Sequence, residues 1–225
     1  MKSIIKLLFC LLLINNYCLA KDQNMGPANI TYNIALKSQY ISRGSQLSNG
    51  PAISFGSDIY LPHNIYFGFW TSSIDDSYHL GSSQEIDYYF GITPKFGNWG
   101  TRIAYQSYLY PENSSGDNNP FSSEFVGEIN YTTDRSFISY RHYWQDQASQ
   151  REFFKTTFRY NFENFITSFE YGDKVNIKQS YYSATISKNI YNINWSLEYV
   201  SNHNPGATGN AQSRDYLTLA MRKSF

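Results

Sequence analysis

The chain has 225 residues, with 18 Lys and Arg against 18 Asp and Glu, two cysteines, and 18% aromatic residues set against a negative mean hydropathy of −0.48. This balance excludes the basic footprint of a nucleic-acid binder and a polybasic membrane anchor. Both cysteines, Cys10 and Cys18, lie near the start of the chain, so everything after them is without disulfide or thiol chemistry.

Residues 1–20 read as a secretory signal peptide. Lys2 and Lys6 form a positive segment and residues 7–14 an apolar one, too short to span a bilayer as a helix, which takes about 20 apolar residues. Cys18 and Ala20 place small residues at the −3 and −1 positions, so cleavage is expected before Lys21. The alternative, lipidation at Cys18, is poorly served by Asn16 and Tyr17 in front of it. Setting aside Lys2 and Lys6 leaves 16 basic and 18 acidic residues, a net charge of about −2. Residues 21–29 then form a short periplasmic segment, and residues 30–225 a single domain.

That domain alternates apolar and polar residues again and again, the period of half-buried strands. Twelve strands are predicted, at about 30–41, 52–60, 65–74, 84–94, 99–110, 121–131, 135–144, 152–161, 164–172, 180–188, 190–201 and 214–225. The clearest is the eleventh, where Tyr191, Ile193, Trp195, Leu197 and Tyr199 oppose Asn192, Asn194, Ser196 and Glu198. Strands 65–74 and 135–144 have mixed faces, which leaves their orientation open. Connections after even-numbered strands are short: 61–64, 95–98, 132–135, 162–163 and a turn at Asn189. Those after odd-numbered strands are long: 42–51, 75–83, 111–120, 145–151, 173–179 and 202–213. Short turns at one end and long loops at the other are the pattern of an all-β, single closed antiparallel transmembrane barrel, with a soluble sandwich as the alternative. Strands of about 9–11 residues suffice to cross a bilayer core, and closure pairs every backbone group within it. Trp99, Tyr108, Tyr110, Tyr143, Trp144 and Tyr199, near strand ends, are expected to form the interfacial girdles.

On this register the lumen face carries Lys37, Asp58, Glu85, Asp87, Arg102, Glu124, Glu128, Arg141, Lys155, Arg159, Glu170, Glu198 and Arg222. Their signs alternate from strand to strand, and the predicted pairs are Arg102 with Glu128, Arg141 with Glu124, and Lys155 with Glu170. Such a wall either neutralises itself and fills the barrel or lines a narrow, weakly selective aqueous pore. The last strand places Leu217, Leu219, Met221 and Phe225 on one face. This closing strand resembles the signal read by the machinery that assembles outer-membrane barrels, with Lys223 as a departure from it.

No catalytic constellation is read. Ser48-Asn49-Gly50 calls to mind the His-x-Ser-Asn arrangement of outer-membrane lipid hydrolases, but Gln46 stands where the base is needed. His79 with Asp75 and Asp76 is a thin set of metal ligands. No cofactor is implied.

One stretch resembles a known family. Ser38-x-Tyr40-x-x-Arg43-Gly44-Ser45-Gln46, Pro51-Ala52, Asp58 and Tyr66-x-Gly68-x-Trp70-x-Ser72 are similar to the opening signature of the TorF family of porin-like proteins, and Glu85-x-Asp87-Tyr88-x-x-Gly91 to its next block. The chain lacks one residue between Arg43-Gly44 and Ser45-Gln46, which shortens the first loop. The resemblance implies an outer-membrane barrel of Gram-negative bacteria with a channel role and no catalytic residues. Together these readings lead to an expectation of passive diffusion of small hydrophilic solutes. A closed structural or surface-interaction barrel, acting through the loops at 111–120 and 202–213, is the alternative, and a lipid hydrolase a distant one.

Overall fold

The computed structural model describes residues 28–77, 81–111, 121–145, 152–175, 178–205 and 212–225. Its wall is twelve long strands: β1 (Asn29–Lys37), β2 (Ala52–Tyr60), β3 (Ile65–Ser73), β4 (Gln84–Ile92), β5 (Trp99–Leu109), β6 (Phe121–Thr132), β7 (Ser136–Gln145), β8 (Glu152–Asn161), β9 (Ile166–Lys174), β10 (Gln179–Ile190), β11 (Ile193–His203) and β12 (Arg214–Ser224). Each pairs antiparallel with its neighbours in sequence, and β1 pairs with β12, from Asn33 opposite Ser224 to Lys37 opposite Ala220. The sheet is therefore a closed, up-and-down barrel. Closure extends past the ladder: Tyr32 and Phe225 exchange backbone hydrogen bonds of 3.2 and 2.9 Å, and the Ser38 N–H donates to the Leu219 carbonyl at 2.8 Å. A ring of this kind has no free strand edge.

Alternation in the sequence becomes two different surfaces. On β1, Ile30, Tyr32, Ile34 and Leu36 point outward and are exposed, while Asn33 and Ala35 are buried inside. On β12, Leu217 and Leu219 are exposed and Tyr216 and Thr218 buried. Phe67, Phe90, Phe125, Ile138, Phe158, Phe169, Ile186, Trp195 and Leu197 continue the outer belt around the wall. The mixed faces resolve: β3 turns Tyr66, Gly68, Trp70 and Ser72 inward, and β7 turns Ser139, Arg141 and Tyr143 inward.

Short and long connections alternate as the sequence suggests, with several boundaries moved. β1 stops at Lys37 rather than 41, because the chain leaves the wall and turns into the barrel. The tight turn into β11 is at Tyr191 and Asn192, with φ of 53° and 61°, not at Asn189. Two consecutive positive φ values are the mark of a type I′ hairpin, and Ile190 pairs with Ile193 across it. Tyr191 and Asn192 are therefore turn residues and not members of the β11 faces. β9 runs to Lys174 and β10 to Ile190, each two residues beyond expectation. The predicted signal, residues 1–20, and most of the loops at 111–120 and 202–213 lie outside the described residues.

Single-cysteine substitutions along β11 should report this surface directly. Nitroxide labels placed on cysteines at Trp195, Leu197 and Tyr199 in the unfolded chain should, after refolding into lipid, be relaxed by lipid-dissolved oxygen, while those at Asn194, Ser196 and Glu198 should not, and loss of that two-residue period would contradict the wall.

Candidate functional site

The long-loop end of the barrel is spanned by its own first loop. Beyond Lys37 the chain crosses the lumen as a small hairpin, Ile41–Ser42 against Ser45–Gln46. The two residues at its tip, Arg43 and Gly44, have φ of 49° and 75°. A left-handed conformation is free for glycine and costs an arginine on the order of 1 kcal/mol. Gly44 is required twice over, since a Cβ there would stand 2.6 Å from the Tyr181 Cβ.

What holds the tip is a charged fork on the opposite wall. Arg43 donates from Nη1 to Glu124 Oε1 at 2.9 Å and from Nη2 to Glu124 Oε2 at 2.7 Å. Tyr108 donates its hydroxyl to the same carboxylate at 2.7 Å. The guanidinium lies 4.3 Å from the Tyr143 ring centroid, 4.8 Å from Phe153 and 5.6 Å from Tyr108. Bidentate Arg–carboxylate pairs are the strong, directional ones, and stacking on aromatic faces adds to them. Beside the fork, Ser45 Oγ accepts from Gln179 Nε2 at 3.1 Å, and Gln179 also donates to Asn202 Oδ1 at 3.1 Å. The loop base is packed as well: Tyr40, Ala52 and Ile74 form a buried cluster with Leu47, Trp70 and Tyr110 against it.

Behind the loop is a cavity of ≈ 800 Å³. Of the sequence-predicted lumen residues, Lys37, Asp58, Glu85, Asp87, Arg102, Glu124, Arg141, Lys155, Glu170 and Arg222 line it, whereas Glu128, Arg159 and Glu198 do not. Glu128 is held by Arg141, and Arg159 lies over the Phe137 ring at 4.9 Å near the short-turn end. The predicted Arg141–Glu124 pair is not formed. Arg141 stands opposite Glu128, and Glu124 opposite Gln145, which frees Glu124 for the loop. Arg102 is level with Glu128 as expected but donates to the Tyr66 hydroxyl. Lys155 is level with Gly172, yet its Nζ reaches Glu170 Oε2 at 2.8 Å. Tyr181 donates to the other oxygen of Glu170 at 2.6 Å.

Two further expectations change. Tyr108 and Tyr143 are buried inside the barrel against Arg43 rather than sitting in a girdle, while Trp99 and Tyr199 face outward and are exposed. Tyr110 donates to Glu85 Oε1 at 2.8 Å. Burial, with the Glu85 and Asp87 carboxylates nearby, pushes the Tyr40 phenol well above its ordinary pKa. Ser48 is a turn residue: its hydroxyl accepts from the Tyr40 N–H at 2.7 Å and donates to the Gly50 carbonyl at 2.8 Å. His79 lies outside the described residues. Sequence reasoning missed Arg43 as a lumen residue, although it is the only charge between Lys37 and Asp58.

The sequence matches, over residues 21–198, the family described as "Bacterial protein of unknown function (Gcw_chp)". The chain belongs to that family. No curated protein matches it. Among solved structures, the Gcw_chp chain is similar to "KdgM porin" at a TM-score of 0.62 and 9% identity, covering 87% of this chain and 99% of that one. It is similar to "NanC porin structure in rhombohedral crystal form" at a TM-score of 0.53 and 8% identity, covering 86% and 98%. At such identities the likeness is one of fold.

Glu124→Gln should loosen the loop while sparing the wall. Losing a charge-assisted hydrogen-bond pair costs about 2 kcal/mol, so the amides of residues 40–47 should exchange with deuterium about 30-fold faster, with the strand amides unchanged. Unaltered exchange of the Leu47 amide would show that the fork does not hold the loop.

Proposed function

We propose that this barrel resides in the outer membrane and lets small hydrophilic solutes diffuse passively through a narrow lumen constricted by its first loop. The observation that carries the reading is the contrast between its surfaces. An exposed apolar belt suits lipid hydrocarbon, while the inside is a ≈ 800 Å³ cavity lined by charged and hydroxyl side chains. Side chains of both signs around a lumen favour hydrated solutes without strong ion selectivity. Two solved barrels of like architecture are described as porins, which supports the reading, as does the TorF-like signature from Ser38 to Gly91. Under this reading the N-terminal signal is cleaved after Ala20, and the strand ending at Phe225 engages the barrel-assembly machinery. Asn29 and Phe225, the two ends of the wall, lie at the short-turn side, which this reading makes periplasmic, and the outer-membrane lipid is the partner of the belt.

A second reading is a closed barrel with a structural or surface-interaction role. It is favoured by one observation: the Arg43–Glu124 fork reaches across the lumen. The two readings separate in planar bilayers. A pore gives steady channels of modest conductance, and Arg43→Ala, which removes the fork and shortens the obstruction, should raise the conductance about twofold or more. Silence of the wild type over a range of voltages and salts, together with silence of Arg43→Ala, would establish the closed barrel instead. Localisation has its own check. The protein should be found in the outer-membrane fraction with an intact mass beginning at Lys21, and recovery in the soluble periplasm would contradict the membrane assignment.

A further inference from the structure

Three carboxylates inside the barrel, Glu124, Glu128 and Glu170, are each held by an arginine or lysine, and two others at the long-loop end are not. Glu85 and Asp87 lie two residues apart on the inward face of β4, at the long-loop end, and both line the cavity. Glu85 is 3% exposed and Asp87 7%. Tyr110 donates to Glu85 Oε1 at 2.8 Å and Gln106 to Asp87 Oδ2 at 3.1 Å, and the Tyr40 hydroxyl also bears on Glu85. The second oxygens, Glu85 Oε2 and Asp87 Oδ1, are buried with no partner. The ion pairs among the described residues use Arg43, Arg141, Lys155 and His142, and none reaches either carboxylate. Lys37 and Arg43 act on the pair only through space; buried carboxylate oxygens left unpaired are costly, so the site favours a further positive charge in direct contact.

The walls say which kind. Trp70 is level with Asp87 on the adjacent strand, and its ring lies 5.5 Å from that of Tyr40. Tyr40 already has an ammonium against it, Lys37 Nζ at 4.9 Å from the ring centroid. Acidic oxygens beside electron-rich ring faces suit an organic ammonium, whereas a hard metal ion wants six or more oxygens and no rings. His, Cys, Asp and Glu residues form no cluster of metal-binding size among the described residues.

The geometry points to Glu85 and Asp87, walled by Tyr40 and Trp70, as a binding site for the ammonium group of small cationic solutes at the long-loop mouth. It rests on the pore reading in one respect, that solutes reach the lumen. The binding test is therefore kept independent of conduction.

The full-length barrel, folded in detergent, is titrated with ethylammonium and tetramethylammonium while tryptophan fluorescence is followed, with Trp70→Phe identifying the reporter. Saturable binding is expected for both cations and not for ethanol or acetate. Glu85→Gln combined with Asp87→Asn, which preserve shape, should weaken it at least tenfold. Tyr40→Leu should weaken tetramethylammonium more than ethylammonium, and Asp215→Asn, at the rim outside the lumen, should change nothing. The proposal is overturned if the double variant binds as the wild type does. It is also overturned if calcium saturates the site while the ammonium ions do not, or if no cation binds and the pair shares a proton. Binding by a barrel that is silent in bilayers would uphold the site and remove the pore.

Discussion

Ring closure governs this molecule. Any backbone N–H or C=O that faces hydrocarbon without a partner costs several kcal/mol, and a sheet meets that demand only by joining its last strand to its first. Here the joint is short, running from Asn33–Ser224 to Lys37–Ala220. It is lengthened at one end by Tyr32 with Phe225 and at the other by Ser38 with Leu219. Once the ring is closed, side-chain alternation has only two destinations, outside or lumen, and every later property follows from that sorting. Gly68 shows how tightly the inside is filled: a Cβ there would meet the Tyr89 ring at 2.2 Å, where the Tyr89 hydroxyl is donating to Asp58.

The lumen of a twelve-strand ring is narrow enough that its charges lose much of their water. Ions in such surroundings need partners with good geometry or their desolvation dominates. Arg141 with Glu128, Lys155 with Glu170 and Arg43 with Glu124 meet the requirement in three different ways: across one rung, diagonally, and across the whole barrel. Tyrosine hydroxyls complete the set on Glu124, Glu170 and Glu85. This gives the high tyrosine content an internal purpose besides the interfacial one.

The period-two pattern in the sequence was enough to recover the wall, because a strand in a closed barrel has one apolar and one polar side and little else to confuse it. Ile193 to Tyr199 and Leu217 to Met221 are read correctly from residue type alone. Ends were harder. Alternation runs on through Tyr40, yet β1 stops at Lys37, because Ser38 bonds to Leu219 and the chain then turns inward. Tyr191 and Asn192 look like strand residues but take the two left-handed positions of a hairpin. Pairing within the lumen depends on register at single-residue precision, and strand ends alone put Arg141 level with Glu124 where the sheet sets it opposite Glu128. The inward loop itself had a signal in Arg43, a lone charge followed by glycine. What the sequence cannot convey is that its partner sits on the far wall, where Tyr108 and Tyr143 had every appearance of girdle residues.

The loop that crosses the mouth is tied at both ends to adjacent strands, for Lys37 and Ala52 are register partners. Its tip is about seven residues from either anchor, a leash of at most ~25 Å. A stopper on so short a leash is never lost to the surroundings. When its grip on Glu124 breaks, it swings over the same opening and finds the same carboxylate again without a search through bulk solution. Release and recapture of the tip would then be an intramolecular matter whose balance is independent of protein concentration, with loop and carboxylate always in a ratio of one to one.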